Sequence, residues 1–170
     1  MSQENLYNEE ARKKLKDMVD DIDFAMMETG LGQRPTHIIP MSTKKVDEDG
    51  KIWFLSNDNS EHNKNIHNDG YLQLIYSNPN EMEFLTIYGT AEISKDQNVL
   101  NELYSKADDT WFDGVEDPKL SAIRVTPKSA HYWDSQAGKF ITLFKIGMGA
   151  ISGNKQDVGR EGDLHLNSEV

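Results

Sequence analysis

Cysteine is missing altogether from the 170 residues, which removes disulfides, thiolate metal sites and cysteine nucleophiles together. Basic residues are scarce: Lys and Arg total 18 against 29 Asp and Glu, a formal net charge of −11. A protein that binds duplex nucleic acid normally carries a basic face to displace phosphate counterions, so no nucleic-acid partner is expected. No run of roughly 18 apolar residues occurs. The chain begins Met1-Ser2-Gln3-Glu4 and turns acidic, without a positive segment followed by an apolar one. No membrane partner and a cytoplasmic location are the expectation. Length and a hydrophobic content of 36% suit one domain over 1–170 with a real core. Residues 1–7 and about 146–170 are expected as end or arm segments.

Several catalytic motifs are also lacking. Gly30-Leu31-Gly32 has no third glycine opening a helix, so it is no dinucleotide fingerprint. There is no Walker lysine motif and no Gly-x-Ser-x-Gly elbow. The acidic stretch Asp47–Gly50 places its glycine too early for a calcium loop and reads as a solvated turn. His37, His62, His67, His131 and His165 form no His-x-x-x-His pair, and no metal site is expected.

What is present reads as short strands with hairpin-type turns. Ala11, Leu15, Met18, Val19 and Ile22 recur at three- and four-residue steps, predicting an amphipathic helix over 8–22 with Asn8 as cap. Residues 24–29 and 36–43 read as a hairpin with a longer loop. Pro40 places the second strand at an edge or a bulge. Residues 51–56 are apolar at successive positions, so both faces of that strand should be covered. Ser60 can cap a short helix over 60–68. Strands follow at 71–76 and 83–93, the latter with Gly89 where a bulge or close backbone approach is expected. A helix is expected over about 95–106 with Val99, Leu100, Leu103 and Ala107 on one face. Strands at 119–133, interrupted at Pro127, and at 140–144 complete the pattern. Two substantial helices and many antiparallel connections predict a mainly β barrel with flanking helices.

The order of short motifs resembles the general stress protein 26 branch of the pyridoxamine-5'-phosphate-oxidase-like, FMN-binding split barrels. The matching pieces are Asp23–Thr29 (DFAMMET), Pro40-Met41-Ser42, Ile52–Ser56 (IWFLS) with Ser60 and Lys64, Tyr88–Glu92 (YGTAE), Asp117-Pro118 and Tyr132-Trp133-Asp134. The endings Ala150–Lys155 and Gly162–Leu166 also look like this branch. The resemblance implies a six-stranded antiparallel split barrel that forms a homodimer, with FMN in grooves at the interface. It implies that Met41, Ser42, Thr43 and Lys45 lie along the flavin and ribityl chain, that Ser56, Asn57, Ser60, His62 and Lys64 surround the phosphate, and that Trp133 borders the ring.

Hydroxyls, helix N–H groups and a lysine suit a phosphomonoester, which carries ~1.5–2 negative charges near neutral pH. Taken by residue type alone, 56–64 serves equally as a polar loop with a helix cap, and Met41 as a core residue. One departure matters. Where the vitamin B6 oxidases carry Arg and His that hold substrate, this chain has Lys139, Ile141 and Leu143, so pyridoxamine phosphate oxidation is not expected. Phe84 stands where those oxidases have a ring-contacting amide. The expected function is an FMN-dependent oxidoreductase of a small substrate. The alternatives are a non-catalytic flavin-binding or stress module, the same barrel holding a deazaflavin or haem, and a purely structural protein. His37, His131 and Tyr132 are acid–base candidates by type only.

Overall fold

The computed structural model describes residues 2–135 and 159–166. Its elements are β1 (Ser2–Gln3), β2 (Leu6–Tyr7), α1 (Asn8–Ile22), β3 (Phe24–Thr29), β4 (His37–Val46), β5 (Ile52–Asn57), α2 (Glu61–Asn68), β6 (Tyr71–Asn78), β7 (Glu83–Ser94), α3 (Gln97–Leu103), a 3₁₀ turn (Lys106–Thr110), β8 (Leu120–Asp134) and β9 (Arg160–His165). The expected strand at 140–144, and with it Lys139, Ile141 and Leu143, lies outside the described residues.

Six strands close on themselves in the order β8-β5-β4-β3-β6-β7, β7 pairing back to β8, every pair antiparallel. This is the barrel that the alternation of short strands predicts. Its interior is filled by inward residues of each strand, among them Ala25, Met27, Phe54, Leu72, Leu74, Leu85, Ile87, Ile123 and Val125. Burying one such side chain stabilises by about 1.5–3 kcal/mol, and together they hold the ring shut. α1 lays Ala11, Leu15, Met18 and Val19 against this core. Asn8 is not its cap, however: the cap position is Tyr7 and no side chain accepts a hydrogen bond there.

Both faces of β5 are covered, as its unbroken apolar run demands. Ile52 and Phe54 enter the barrel, while Trp53 packs outside with Leu100, Leu103, Leu120 and Ala122. α3 is shorter than its apolar spacing predicts. It ends at Leu103, Ser105 starts the 3₁₀ turn through a capping box with Asp108, and Ala107 is exposed. The local box competes with continued α-helix and wins.

Two bulges shape the barrel. In β4 the register steps from Thr43↔Phe54 to Lys45↔Trp53, leaving Lys44 as the extra residue. In β8 it steps from Ser129↔Tyr88 to Pro127↔Gly89, leaving Lys128 extra. A Cβ on Gly89 would lie 2.5 Å from the Thr126 carbonyl oxygen, so the close approach expected there is real. Each bulge reverses which residues face inward, because side chains alternate with a period of two. Before the β8 bulge Ile123 and Val125 point in; after it Ala130 and Tyr132 do, and His131 and Trp133 turn out.

The ring is split along one seam. β4 pairs with β5 only from Thr43 to Val46, so among the described residues His37–Ser42 has β3 as its one partner. Pro40 sits in that one-sided stretch, where no second ladder among the described residues needs its absent N–H. On the other side β8 exchanges β5 for β9 at Ala130–Asp134. β9 carries β1 and β2 in parallel on its far edge.

Candidate functional site

β5 and β4 part company beyond Phe54, leaving a cleft at the seam. His37–Ser42 borders one side; Ser56, Asn57 and the start of α2 border the other. The His37 and His62 rings stack across it, centroids 6.1 Å apart and 9° from parallel.

The chain turns from β5 into α2 by local polar chemistry. The Asn57 side chain accepts from the Asn59 N–H, its carbonyl accepts from the Ser60 N–H, and Ser60 Oγ accepts from the Asn63 N–H as the helix cap. α2 is then anchored by amides in place of an apolar face. Asn65 donates to Thr29 Oγ1 and receives a bond from Gln33; Asn63, fully buried, donates to Ser121 Oγ.

Donor–acceptor accounting settles the protons in this network. Ser121 Oγ donates to the Ser56 carbonyl at 3.1 Å, so it accepts from Asn63 Nδ2 and the amide is oriented. Asn63 Oδ1 therefore receives the Ser56 hydroxyl proton at 2.8 Å. With its one proton used, Ser56 Oγ can only accept from His62 Nε2, 2.6 Å away. Nε2 carries hydrogen, shared with Ser60 Oγ at 3.0 Å, and Nδ1 is left without a partner among the described residues. Burial, with His37 second, lowers the His62 pKa to about 4, so at neutral pH the ring is uncharged. The Ser60 hydroxyl hydrogen has Ser56 Oγ as a long acceptor at 3.5 Å, a contact that a stronger outside acceptor can replace.

Of the residues expected to hold a ligand, the fold gathers Ser56, Asn57, Ser60 and His62 on one wall and Met41 and Ser42 on the other. Met41 is half-buried against the core, and Ser42 is exposed opposite Phe24. Thr43 points inward to the buried Tyr76 hydroxyl at 2.9 Å. Lys64 is exposed beside Glu61 at 3.9 Å. Lys45 is carried outward by the Lys44 bulge, where it pairs with Glu102 and lies 5.8 Å over Trp53. Trp133 stands near the opposite end of β8 from Ser121, roughly 40 Å of strand contour away at ~3.3 Å per residue, with Phe84 as its β7 partner. One chain thus holds the hydroxyl cluster and the indole far apart along β8.

Asn63, Asn65 and Ser121 support the cluster and were not signalled by residue type; the clue is an eight-residue helix, EHNKNIHN, with only Ile66 to bury as a hydrophobe. Among the acid–base candidates, Tyr132 is disqualified by its environment: its hydroxyl donates to the Glu4 carbonyl at 2.9 Å, and burial raises its pKa. His131 pairs with Asp163 on the outer face. A groove of about 320 Å³ beside α1, lined by Arg12, Lys13, Lys16 and Asp47, includes none of the site residues. Lys13 and Lys16 are there engaged by Asp17 and Asp20. No helix among the described residues is long and apolar enough to cross a membrane.

Comparison with known proteins agrees with this architecture. Among solved structures, one assigned to general stress protein 26 of Jannaschia sp. CCS1 superposes with a TM-score of 0.77 at 25% identity, covering 92% of this chain and 98% of the other. The general stress FMN/FAD-binding protein of Xanthomonas citri shares the fold at a TM-score of 0.62 and 20% identity, over 73% of this chain and 87% of that one. Protein bli-3 of Neurospora crassa is 27% identical over 124 residues, 66% of this chain but 59% of that longer relative. The family model described as pyridoxamine 5'-phosphate oxidase like matches residues 10–157. With a closed six-strand ring, a seam bordered by the expected hydroxyls and a match over most of its length, the chain belongs to the pyridoxamine 5'-phosphate oxidase-like family.

Proposed function

We propose that the chain binds FMN at the seam, as a homodimer, and serves as a flavin-dependent oxidoreductase for a small substrate other than pyridoxamine phosphate. The observation that carries this reading is the separation of the two half-sites. Ser56, Asn57, Ser60 and His62 border one end of the outer barrel face, and Trp133 with Phe84 lies at the other. A two-fold partner placed face to face would bring the indole of one copy to the hydroxyl cluster of the other.

The face between them supports such pairing. Its outward residues include Phe24, Met26 and Ile38, 58%, 43% and 47% exposed, with Pro40 across from Met26 and Ile75 beside it. No helix among the described residues covers them. Contiguous exposed apolar surface of this kind marks an interaction site, and an isologous contact with a second copy buries it on both partners.

The donors fit a phosphomonoester. Ser60 offers a hydroxyl hydrogen at the α2 cap that is held only by a long 3.5 Å contact to Ser56 Oγ, and Lys64 is held only loosely by Glu61. In this assignment Ser56, Asn57, Ser60, His62 and Lys64 serve the phosphate, Met41 and Ser42 follow the ribityl chain and ring, Thr43 and Lys45 border the ligand by their backbone because their side chains turn to Tyr76 and Glu102, and Trp133 comes from the partner. When bound, the isoalloxazine supplies hydride chemistry, while the protein binds, orients and shields it. Lys139, Ile141 and Leu143 replace the polar substrate contacts of the B6 oxidases, which argues for a different substrate.

An absorption spectrum of the purified protein, with a mass spectrum of any released ligand, tests the assignment. Flavin bands and an FMN mass are expected. Colourless protein that also fails to take up added FMN would overturn it. Turnover with a reduced nicotinamide then separates an oxidoreductase from a carrier.

A further inference from the structure

The Lys128 bulge turns one polar pair toward the outer face. His131 Nδ1 lies 2.7 Å from Asp163 Oδ1, the two facing each other in the β8–β9 register. An ionised carboxylate only accepts, so Nδ1 carries the hydrogen and the imidazole is held by its inner nitrogen. Nε2 has no partner among the described residues, and a third of the side chain is accessible (33%). The ring rests against Trp133, centroids 4.4 Å apart at 59°. Phe84 and Thr86 flank the two residues on β7.

An isolated surface His–Asp pair contributes little and needs no role. This one differs in its setting. It adjoins an indole and a phenyl ring at the edge of a face that a second copy would cover, and its free nitrogen would lose water there. A flat heteroaromatic ring with an N–H at its rim would lie against Trp133 and donate to Nε2 at the same time.

We propose that His131, oriented by Asp163, contacts the polar rim of the flavin ring where that ring meets Trp133. This rests on the flavin reading above and adds to it a ring-recognition pair distinct from the phosphate wall. The two walls predict different ligand dependence. Riboflavin presents the ring without the phosphate, so substitutions on the ring side should weaken FMN and riboflavin alike, and those on the phosphate side FMN alone.

The test titrates apo-protein with FMN and with riboflavin, following flavin fluorescence and the position of the long-wavelength absorption band. His131→Leu should weaken both ligands by about tenfold, the equivalent of one lost hydrogen bond, and should shift the band. Asp163→Asn should weaken both by a smaller, equal factor, and His131→Gln, which keeps an amide at the rim, should restore part of the loss. Ser60→Ala should weaken FMN only. Circular dichroism verifies each fold, and Asp163→Asn with His131→Gln decides the matter if His131→Leu fails to fold. Wild-type affinities and an unshifted band in the His131 and Asp163 variants, or weakening confined to FMN, would overturn the pair's role while leaving the flavin assignment standing. Wild-type protein that binds neither flavin would overturn the underlying reading.

Discussion

Lowering the pH from 7 to 5 should destabilise the protein through His62 in particular. In the folded chain this ring is neutral above pH about 4, because burial and the neighbouring His37 disfavour its charged form. In the unfolded chain it titrates near the ordinary histidine value of ~6.5. Between those values the unfolded state binds more protons than the folded one, so stability falls as pH falls. For a single site the full effect between pH 7 and 5 is about 2 kcal/mol. The ring keeps partial contact with water, which screens the charge, so roughly 1 kcal/mol is expected. The network gives the same sign: Nε2 already donates to Ser56, and a proton added at Nδ1 finds no acceptor among the described residues. The assay is urea unfolding at pH 7 and pH 5, at one protein concentration, for the wild type and His62→Gln. The glutamine amide can reach Ser56 but cannot titrate. Carboxylates shift both proteins equally, and the difference of differences isolates His62. The wild type should lose about 1 kcal/mol more than the variant, a midpoint change of roughly 0.5 M urea. Equal pH slopes, or a steeper one in the variant, would refute the reasoning. Because a bound phosphate would favour the charged ring, FMN should also shrink the wild-type slope.

Asp134 is buried beneath two cations, Lys14 Nζ at 2.5 Å and Arg160 Nη2 at 3.0 Å. Asp134→Ala should cost about 2–3 kcal/mol in urea unfolding, less than the largest buried-pair losses because both cations keep some water contact. Gly162→Ala should be comparably damaging: the added Cβ would stand 1.9 Å from the Glu4 carbonyl oxygen, so the N-terminal strands must leave β9. Limited proteolysis within residues 2–7 should then rise sharply, with about 1–3 kcal/mol of stability lost to overpacking. Met26→Glu places a charge in the exposed apolar face and should convert a dimer to monomer in light scattering with an intact circular dichroism spectrum. An unchanged mass would remove that face as the subunit contact.

The elements that depend on local chemistry were legible from the residues. The spacing of Leu15, Met18, Val19 and Ile22 determined α1; the unbroken run Ile52–Leu55 implied a strand covered on both faces; Ser60 marked the start of α2; and Gly89 marked a close backbone approach. The hydroxyls and amides of 56–63 could be named for the same reason, since caps and turns are chosen by nearest neighbours in the chain. Only the tertiary structure decided which way the more distant residues face. Lys45 points toward Glu102 and away from the cleft because Lys44 is an extra residue in β4. His131 and Trp133 point outward, unlike Ile123 and Val125, because Lys128 is an extra residue in β8. A strand's side chains alternate with a period of two, and one inserted residue exchanges the faces of everything beyond it. That insertion is set by how the partner strands pair, which the residues of one strand do not encode alone.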